Sequence, residues 1–344
     1  MVTNKIIKQN SILVDIRNLL QTARTNVLKQ VNNIMVVTYF KIGKRIVEEE
    51  QRGNKRAGYG EKLIVELSKK LTKEFGKGFS ERNLELMRKF YLMYSISQSV
   101  IAKSEKSQSL TDQLKLSWTH YIKLMSIDDE QERKFYEIES EKNNWSVREL
   151  QRQFDSALYT RLSLSRNKKK VLELSKKGQL IKEPQDVIKD PYILEFVGLE
   201  EKASYSETEL ETAIINKLED FLLELGKGFT FVARQQRISF DDKHFYCDLV
   251  FYNRILKSFV LIDLKIGELK HQDIGQMQMY INYYDRNIRL PEENKTIGII
   301  LCRDKNEAVV EYTLPENSKN IFASKYQTVL PNKKQLQKLL QNKK

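Results

Sequence analysis

The sequence predicts a two-domain protein, in which an all-helical N-terminal domain precedes an α/β domain built on a mixed sheet. Between Ser11 and Leu162, apolar residues recur every three or four positions, the spacing of amphipathic helices. From Ser206 onward, helical stripes alternate with short β-branched and aromatic runs in the order α-β-β-β-α-β-α-β. This order is typical of a mixed sheet with helices on its faces. A length of 344 residues also suits two domains.

The domain limits follow from changes in composition. We expect the helical domain to cover residues 1–165 and a polar linker, which opens with a basic run, to cover residues 166–195. The α/β domain would then cover residues 196–332, and residues 333–344 would form a C-terminal tail.

One pair of predicted helices in the N-terminal domain has the layout of a helix-turn-helix. A glycine-containing turn at residues 75–79 ends the first helix, and Ser80 can cap the second. The second helix carries Arg82, Arg88 and Lys89, which are candidate nucleic-acid contacts. Helical hairpins with basic outer faces also occur without any such function, so both interpretations stay open.

The charge of the chain is unevenly distributed. The net charge is +13, and residues 1–170 account for all of it, with 33 Lys and Arg against 20 Asp and Glu. Residues 171–344 contain 26 of each sign. An excess of this sign favours capture of polyanions such as nucleic acid, and a solvated surface is the alternative.

Cysteine and histidine usage limits the class of protein and the kind of metal site. Cys247 and Cys302 cannot form a disulfide framework and fit a reducing cytoplasm. The three histidines and two cysteines lack zinc-ligand spacing, so any metal should have oxygen ligands. No apolar run approaches the roughly 18 residues that a membrane span requires.

A predicted β-hairpin in the second domain carries the strongest chemical signal. Two apolar runs, residues 245–252 and 258–265, flank a turn at residues 254–257. The expected opposed pairs on one face are Phe251–Val260, Leu249–Ile262 and Cys247–Leu264. On the other face they are Val250–Leu261, Asp248–Asp263 and Tyr246–Lys265. Opposed carboxylates on an interior face repel each other unless a positive group lies between them, and a divalent cation is the simplest one. A buried Asp–Lys ion pair without chemistry is the alternative.

The residues of this hairpin also carry a family resemblance. An acid, then an acid-x-Lys triplet on the next strand, is the layout of the PD-(D/E)XK nuclease superfamily, whose shared core the element order resembles. The longer match resembles the YhcG family of that superfamily and covers nearly the whole chain. In the second domain it rests on Glu224–Phe229, Arg234–Arg237, Phe245–Tyr252, Asp263–Gly267 and Gly275–Tyr280. In the first it rests on Tyr39–Gly43, Tyr59-Gly60, Phe75–Phe79, Ser117–Tyr121 and Trp145–Leu150.

The resemblance implies roles for the hairpin residues. Asp248 and Asp263, with the backbone carbonyl of Leu264, would bind Mg²⁺ or Mn²⁺, and Lys265 would orient or activate the attacking water. Two departures from the family pattern concern this site. Cys247 replaces the proline of the superfamily name, and Asp263 replaces the glutamate expected in the family.

Further site residues are expected near this hairpin. Glu211 shares the inward face of its helix, where the superfamily often has a metal-proximal glutamate, and a boundary residue reaching solvent is the alternative. Gln276 and Tyr280 lie four residues apart on one helix, where related nucleases often place a glutamine near the substrate. Gln235 and Arg237 alternate outward on the first strand and are candidate phosphate contacts, with a solvated strand edge as the alternative.

The predicted function is metal-dependent hydrolysis of phosphodiester bonds in nucleic acid, with DNA favoured over RNA. The alternatives are a nucleic-acid-binding accessory protein that no longer cuts, and a scaffold or subunit of a larger DNA-processing assembly. A homo-oligomer is expected by analogy with nucleases that need two sites for two strands.

Overall fold

The structure is a computed structural model that describes residues 2–52, 59–101, 113–164, 168–199, 205–240, 243–305, 307–314 and 319–332. It contains two compact units, Met1–Leu150 and Gln151–Lys344. The prediction of a helical region followed by an α/β domain with a mixed sheet is confirmed. Within the described ranges, no helix combines the length and apolar character that crossing a bilayer would require.

The described helices before residue 165 are α1 (Val2–Arg52), α2 (Tyr59–Phe75), α3 (Glu81–Ile101), α4 (Trp118–Leu124), α5 (Glu130–Asn143), α6 (Val147–Asp155) and α7 (Leu158–Leu164). Helix α3 begins where the sequence predicts, because the Asn83 N–H donates to Ser80 Oγ over 3.3 Å. Helices α1 and α3 approach closely at Gly43, where a Cβ atom would overlap the Met87 carbonyl oxygen. This close approach places the apolar faces of the two helices in contact.

The remaining elements are α8 (Lys168–Lys177), β1 (Tyr192–Ile193), α9 (Glu207–Asn216), α10 (Leu218–Leu225), β2 (Phe229–Phe240), β3 (Lys243–Asn253), β4 (Ser258–Glu268), α11 (His271–Asn287), β5 (Ile297–Asp304), α12 (Glu307–Thr313) and β6 (Ile321–Gln327). The six strands have the order β1-β6-β5-β4-β3-β2. The pairs β1–β6, β6–β5 and β5–β4 are parallel, whereas β3 pairs antiparallel with both β4 and β2.

Apolar layers cover both faces of the sheet. Leu210 and Phe221 of α9 and α10 pack on one face, and Met277 and Tyr280 of α11 pack on the other. Helix α11 lies close to β5 at Gly298, because any Cβ atom there would meet the Met277 side chain. The helices that carry Glu211 and Gln276 are therefore fixed against the sheet.

The segment predicted to be a linker contains regular structure. It contributes α8 and the edge strand β1, which pairs in parallel with β6. A two-residue strand is held mainly by main-chain pairing, which composition does not reveal. The single helix that the predicted element order places before the first strand is divided in the structure at Lys217, where φ is −123° and ψ is 36°. The domain limits drawn from the sequence stay a prediction, and the tail at 333–344 lies outside the described residues.

The predicted hairpin register is confirmed close to its turn. Leu249 to Asn253 pair with Ser258 to Ile262, as expected. The turn is stabilised by Asn253 Oδ1, which accepts hydrogen bonds from the N–H groups of Ile255 and Leu256 over 3.0 and 3.1 Å.

Three predicted pairs of this hairpin, Cys247–Leu264, Asp248–Asp263 and Tyr246–Lys265, are wrong as strand pairs. Cys247 packs in the layer beneath α11 together with Val250, whereas Leu264 packs in the layer beneath α9 and α10. The reason is that β3 and β4 stop pairing beyond Leu249 and Ile262, so that the alternation of faces is interrupted there.

Candidate active site

The candidate site lies where β3 and β4 separate. Here the N–H of Leu264 donates to a side chain instead of to the backbone of the neighbouring strand: Asp248 Oδ2 accepts it over 2.7 Å. Asp248 and Asp263 are therefore not ladder partners, but the Asp248 carboxylate acts electrostatically on Asp263 and helps to raise its pKa. The structure thus brings together the two acids that the sequence predicts to be neighbours.

Lys265 neutralises part of this negative charge. Its Nζ lies 2.8 Å from Asp263 Oδ2, and the two side chains are 17% and 2% exposed. Burial is the main cause that raises the pKa of Asp263 to about 7; the Lys265 charge opposes this rise and the Asp248 charge adds to it. Burial would lower the pKa of Lys265, but the charge and hydrogen bond of Asp263, together with the charges of Glu207 and Asp248, outweigh burial and raise that pKa above its usual value. Lys265 is therefore an ammonium group at neutral pH.

The side-chain amide of Gln235 links a third carboxylate, that of Glu211, to the site. Gln235 Nε2 donates to Glu211 Oε2 over 2.6 Å and to Asp248 Oδ1 over 3.0 Å. The backbone of Gln235 has a φ of 46°, a left-handed conformation that costs a residue other than glycine about 1–3 kcal/mol. The prediction that Gln235 points outward along the strand is wrong, because this backbone conformation breaks the alternation and directs the amide toward the carboxylates.

Two charged neighbours complete the electrostatics of the site. Glu207 Oε2 lies 3.7 Å from Lys265 Nζ, and Arg234 Nε lies 3.8 Å from Glu211 Oε1. Sequence reasoning missed Glu207. Its position one helical turn before Glu211 on α9 was the available signal, since residues four apart share a helix face.

Gln276 and Tyr280 are positioned beside the two acids. Gln276 Nε2 donates to the Tyr280 hydroxyl oxygen, and that hydroxyl donates to the carbonyl of Tyr246 over 2.8 Å. Burial, with smaller contributions from Asp263 and Asp248, raises the pKa of Tyr280 to about 12. Tyr280 is completely buried, so its ring is an internal anchor for α11 and does not face a surface that nucleic acid would reach. Gln276 is half-buried, and its role near a substrate stays a prediction.

Cys247, at the position of the superfamily's proline, is not a ligand candidate. Burial, followed by the charges of Asp263 and Asp248, raises the pKa of its thiol well above the usual value. A metal-binding cysteine must be a thiolate, so this protonated side chain acts as a small core residue.

The oxygen donors at the site match the kind of cation that the paired acids imply. Glu211 Oε1 is a buried oxygen without a hydrogen-bond partner among the described residues, and all available donors are hard carboxylate oxygens. Such donors fit Mg²⁺ or Mn²⁺. No three His, Cys, Asp or Glu residues in the described ranges converge closely enough to hold an ion, and the Gln235 amide lies between Glu211 and Asp248. Asp248 and Asp263 are therefore the pair that fits, and Glu211 is separated from them.

The candidate nucleic-acid contacts differ in their surroundings. Arg237 is exposed and contacts Ser239 and His244 of the same β2–β3 hairpin. In the helical unit, Arg88 Nε pairs with Glu50 Oε2 over 2.6 Å and Lys89 Nζ donates to the Met125 carbonyl over 2.9 Å. Arg82 is exposed. The proposed contacts of these residues with nucleic acid, the helix-turn-helix interpretation and the Leu264 carbonyl ligand stay predictions.

Comparison with known protein families supports the resemblance. A family model described as "YhcG PDDEXK nuclease domain" matches residues 185–341, and one described as "DUF1016 N-terminal domain" matches residues 15–161. The chain is 40% identical over 339 residues to a protein of Escherichia coli (strain K12) named "Putative nuclease YhcG". This match covers 93% of the chain and 90% of the relative.

Two solved structures are similar to part of the chain. One, titled as a crystal structure of a repair endonuclease from Pyrococcus abyssi, is 15% identical with a TM-score of 0.25, covering 39% of this chain and 50% of that one. The other, titled "Structure of EndoMS-dsDNA2 complex", is 12% identical with a TM-score of 0.26, covering 39% of this chain and 51% of that one.

Proposed function

Because the chain belongs to the YhcG family of PD-(D/E)XK nuclease proteins, we propose that it hydrolyses phosphodiester bonds of DNA with Mg²⁺ or Mn²⁺ as cofactor. The observation that carries this proposal is the group of Asp248, Asp263 and Lys265 at the point where β3 and β4 separate. The preference for DNA rests on the resemblance to restriction-endonuclease-like enzymes. The basic charge of residues 1–170 supports a polyanionic substrate.

In this proposal each side chain has a distinct task. Asp248 and Asp263 would hold the cation, which supplies Lewis acidity toward the scissile phosphate and its attacking water. The Lys265 ammonium would donate a hydrogen bond to orient the water and would stabilise negative charge that develops on the phosphoryl oxygens. Because its pKa is raised, we assign Lys265 this electrostatic role and not that of a general base.

A cleavage panel tests the function. The full chain would be incubated with duplex DNA, single-stranded DNA, branched DNA and structured RNA, each with Mg²⁺, with Mn²⁺ and with a chelator. We expect cleavage of at least one DNA substrate, lost when the metal is removed. Cleavage of none of them with either ion would contradict the proposal, and cleavage of RNA alone would contradict the substrate assignment.

One observation favours a second candidate, a nucleic-acid-binding accessory protein that no longer cuts. The Gln235 amide donates to Glu211 and Asp248 and so partly neutralises the acids without a cation. Isothermal titration with Mn²⁺ separates the candidates. Binding by the wild type that Asp248→Asn abolishes supports the nuclease, whereas a wild type that binds no metal supports the accessory role.

The role of Gln235 yields a stability prediction. Gln235→Met keeps the length of the side chain but leaves Glu211 and Asp248 without their shared donor. We expect a loss of about 1–3 kcal/mol in the free energy of unfolding without metal, measured by urea denaturation. Gln236→Met is the matched control, because the amide of this equally exposed neighbour donates to the Arg237 carbonyl and not to an acid, so its loss should change stability by less than about 0.5 kcal/mol. Equal effects of both substitutions would contradict the assigned role.

A further inference from the structure

The first half of α1 presents an apolar surface to solvent. Every described side chain from Ile12 to Asn32 is exposed, and burial begins only at Val36. The large exposed apolar residues are Ile12, Leu13, Val14, Ile16, Leu19, Leu20, Val27, Leu28, Val31, Ile34 and Met35. Several of them are more than half exposed, including Leu19 at 70%. A helix in water is stabilised mainly by packing an apolar face elsewhere, so this segment requires a partner surface.

The apolar residues follow a seven-residue repeat. Leu13, Leu20, Val27 and Ile34 occupy one heptad position, and Ile16, Ala23, Gln30 and Val37 occupy the position three residues later, where Gln30 is the polar member. Two of the positions that would face away from the seam are polar: they carry Asp15, Asn18, Thr22, Lys29 and Asn32, whereas the position next to the first seam residue carries Val14, Gln21, Leu28 and Met35. This is the pattern of a coiled coil, in which a and d residues form the seam between helices.

Charge and area both favour a second copy of the same helix as the occupant. Only Asp15, Arg17, Arg24 and Lys29 are charged between residues 12 and 35, although 31% of the whole chain is charged. Depletion of charge and enrichment of aliphatic residues are features of a buried interface core. A standard interface buries roughly 800 Å² per partner, and the segment supplies eleven large exposed apolar side chains toward such an area.

We propose that residues 12–35 of α1 form a coiled coil with the same segment of a second copy of this chain. A heptad stripe is self-complementary, so a two-fold contact buries the same residues on both copies. Pairing of this kind gives each particle two α/β domains. The proposal depends only on α1 and does not require the chain to be a nuclease.

The mass of the full chain in solution tests this proposal. A single chain has a mass of 40.6 kDa, and we expect light scattering after size exclusion to give twice that value at micromolar concentration. The double substitution Leu20→Asp with Val27→Asp places charge in the seam and should give a monomer. The matched control is Asn18→Asp with Asn32→Asp, which places the same charges on the outward positions and should leave the dimer intact.

Three results would overturn the proposal. They are a monomeric wild type, a dimer that survives the seam substitutions, and a monomer produced equally by the control. Circular dichroism and thermal unfolding would verify that the folded core is retained in each variant, as expected because the substituted side chains are exposed. A second seam variant, Leu20→Ala with Val27→Ala, adds no charge and controls for a loss of the fold. It should weaken the dimer, with a dissociation constant between those of the wild type and of the aspartate variant.

Discussion

Asp263→Asn is expected to abolish Mn²⁺ binding and to lower metal-dependent DNA cleavage by at least about 10²-fold, because the cation loses a buried anionic ligand. Lys265→Met should lower cleavage by a similar factor but should leave Mn²⁺ binding intact, because the ammonium stabilises the reaction and does not hold the ion. Titration calorimetry and single-turnover cleavage would measure the two effects separately. This contrast distinguishes a ligand from a group that acts on substrate.

Glu268→Gln is the control for both substitutions, because this exposed acid lies on the same strand at a distance from the pair. It should retain metal binding and cleavage. Circular dichroism would verify that each variant is folded. Unchanged cleavage in both Asp263→Asn and Lys265→Met would contradict the proposed site, and loss of metal binding in Lys265→Met would contradict the division of roles.

The raised pKa of Asp263 predicts how pH affects the site. The native pKa is about 7, against an ordinary value of 3.8, so the native state retains a proton between these values that the unfolded state has lost. The metal-free wild type should therefore lose stability relative to Asp263→Asn as pH rises from about 4 to about 7. Cation affinity should rise over the same range, because the ion competes with that proton. A pH-independent affinity between pH 6 and 8 would contradict this pKa.

The sequence predicted the parts of the site that depend on local pattern. The register near Asn253 followed from β-branched alternation and a turn with an asparagine at its start, and the Asp263–Lys265 contact followed from their two-residue spacing on one strand. The direction of the Gln235 amide toward the carboxylates could not be predicted. A left-handed residue inside a strand turns its side chain away from the expected face, and the amino-acid composition does not indicate where this happens.

Long-range contacts between charged residues could also not be predicted from the sequence. Arg161 and Glu224 are both completely buried and lie 63 residues apart, yet each is of a type that sequence reasoning assigns to the surface. Lys189, within the segment predicted to be a linker, is buried beside them and donates to the Glu224 carbonyl oxygen. The pairing of such residues depends on where the fold places α7 and α10, which no periodicity encodes.

This buried cluster leads to the largest stability effect that we expect. Glu224 Oε1 accepts from Arg161 Nη1 over 2.6 Å and from the N–H of Ile193 over 3.0 Å. Arg152 and Lys189 lie within 3.6 and 3.9 Å of Oε2. Burial alone would raise the pKa of Glu224, but the charges of Arg161, Lys189 and Arg152 keep it below its usual value.

Glu224→Ala should lower the free energy of unfolding by about 3–5 kcal/mol, because it leaves buried cations without their carboxylate. Glu219→Ala, at an exposed position of the same helix, is the matched control and should change stability by less than about 0.5 kcal/mol. Because the native pKa of Glu224 is lowered, the pair's stabilisation is present above the ordinary pKa of a glutamate and is lost as pH falls through the lower native value.

The difference between Glu224→Ala and the wild type should therefore persist at pH 7 and shrink only in strong acid. Hydrogen exchange would locate the damage: amides of α7 and β1 should exchange faster in Glu224→Ala than in Glu219→Ala, since Glu224 binds Arg161 of α7 and the Ile193 N–H of β1. Equal stabilities of the two variants in urea denaturation would show that the buried charges are satisfied without Glu224. In that case α7 would be held by its remaining contacts, and β1 by its main-chain pairing with β6.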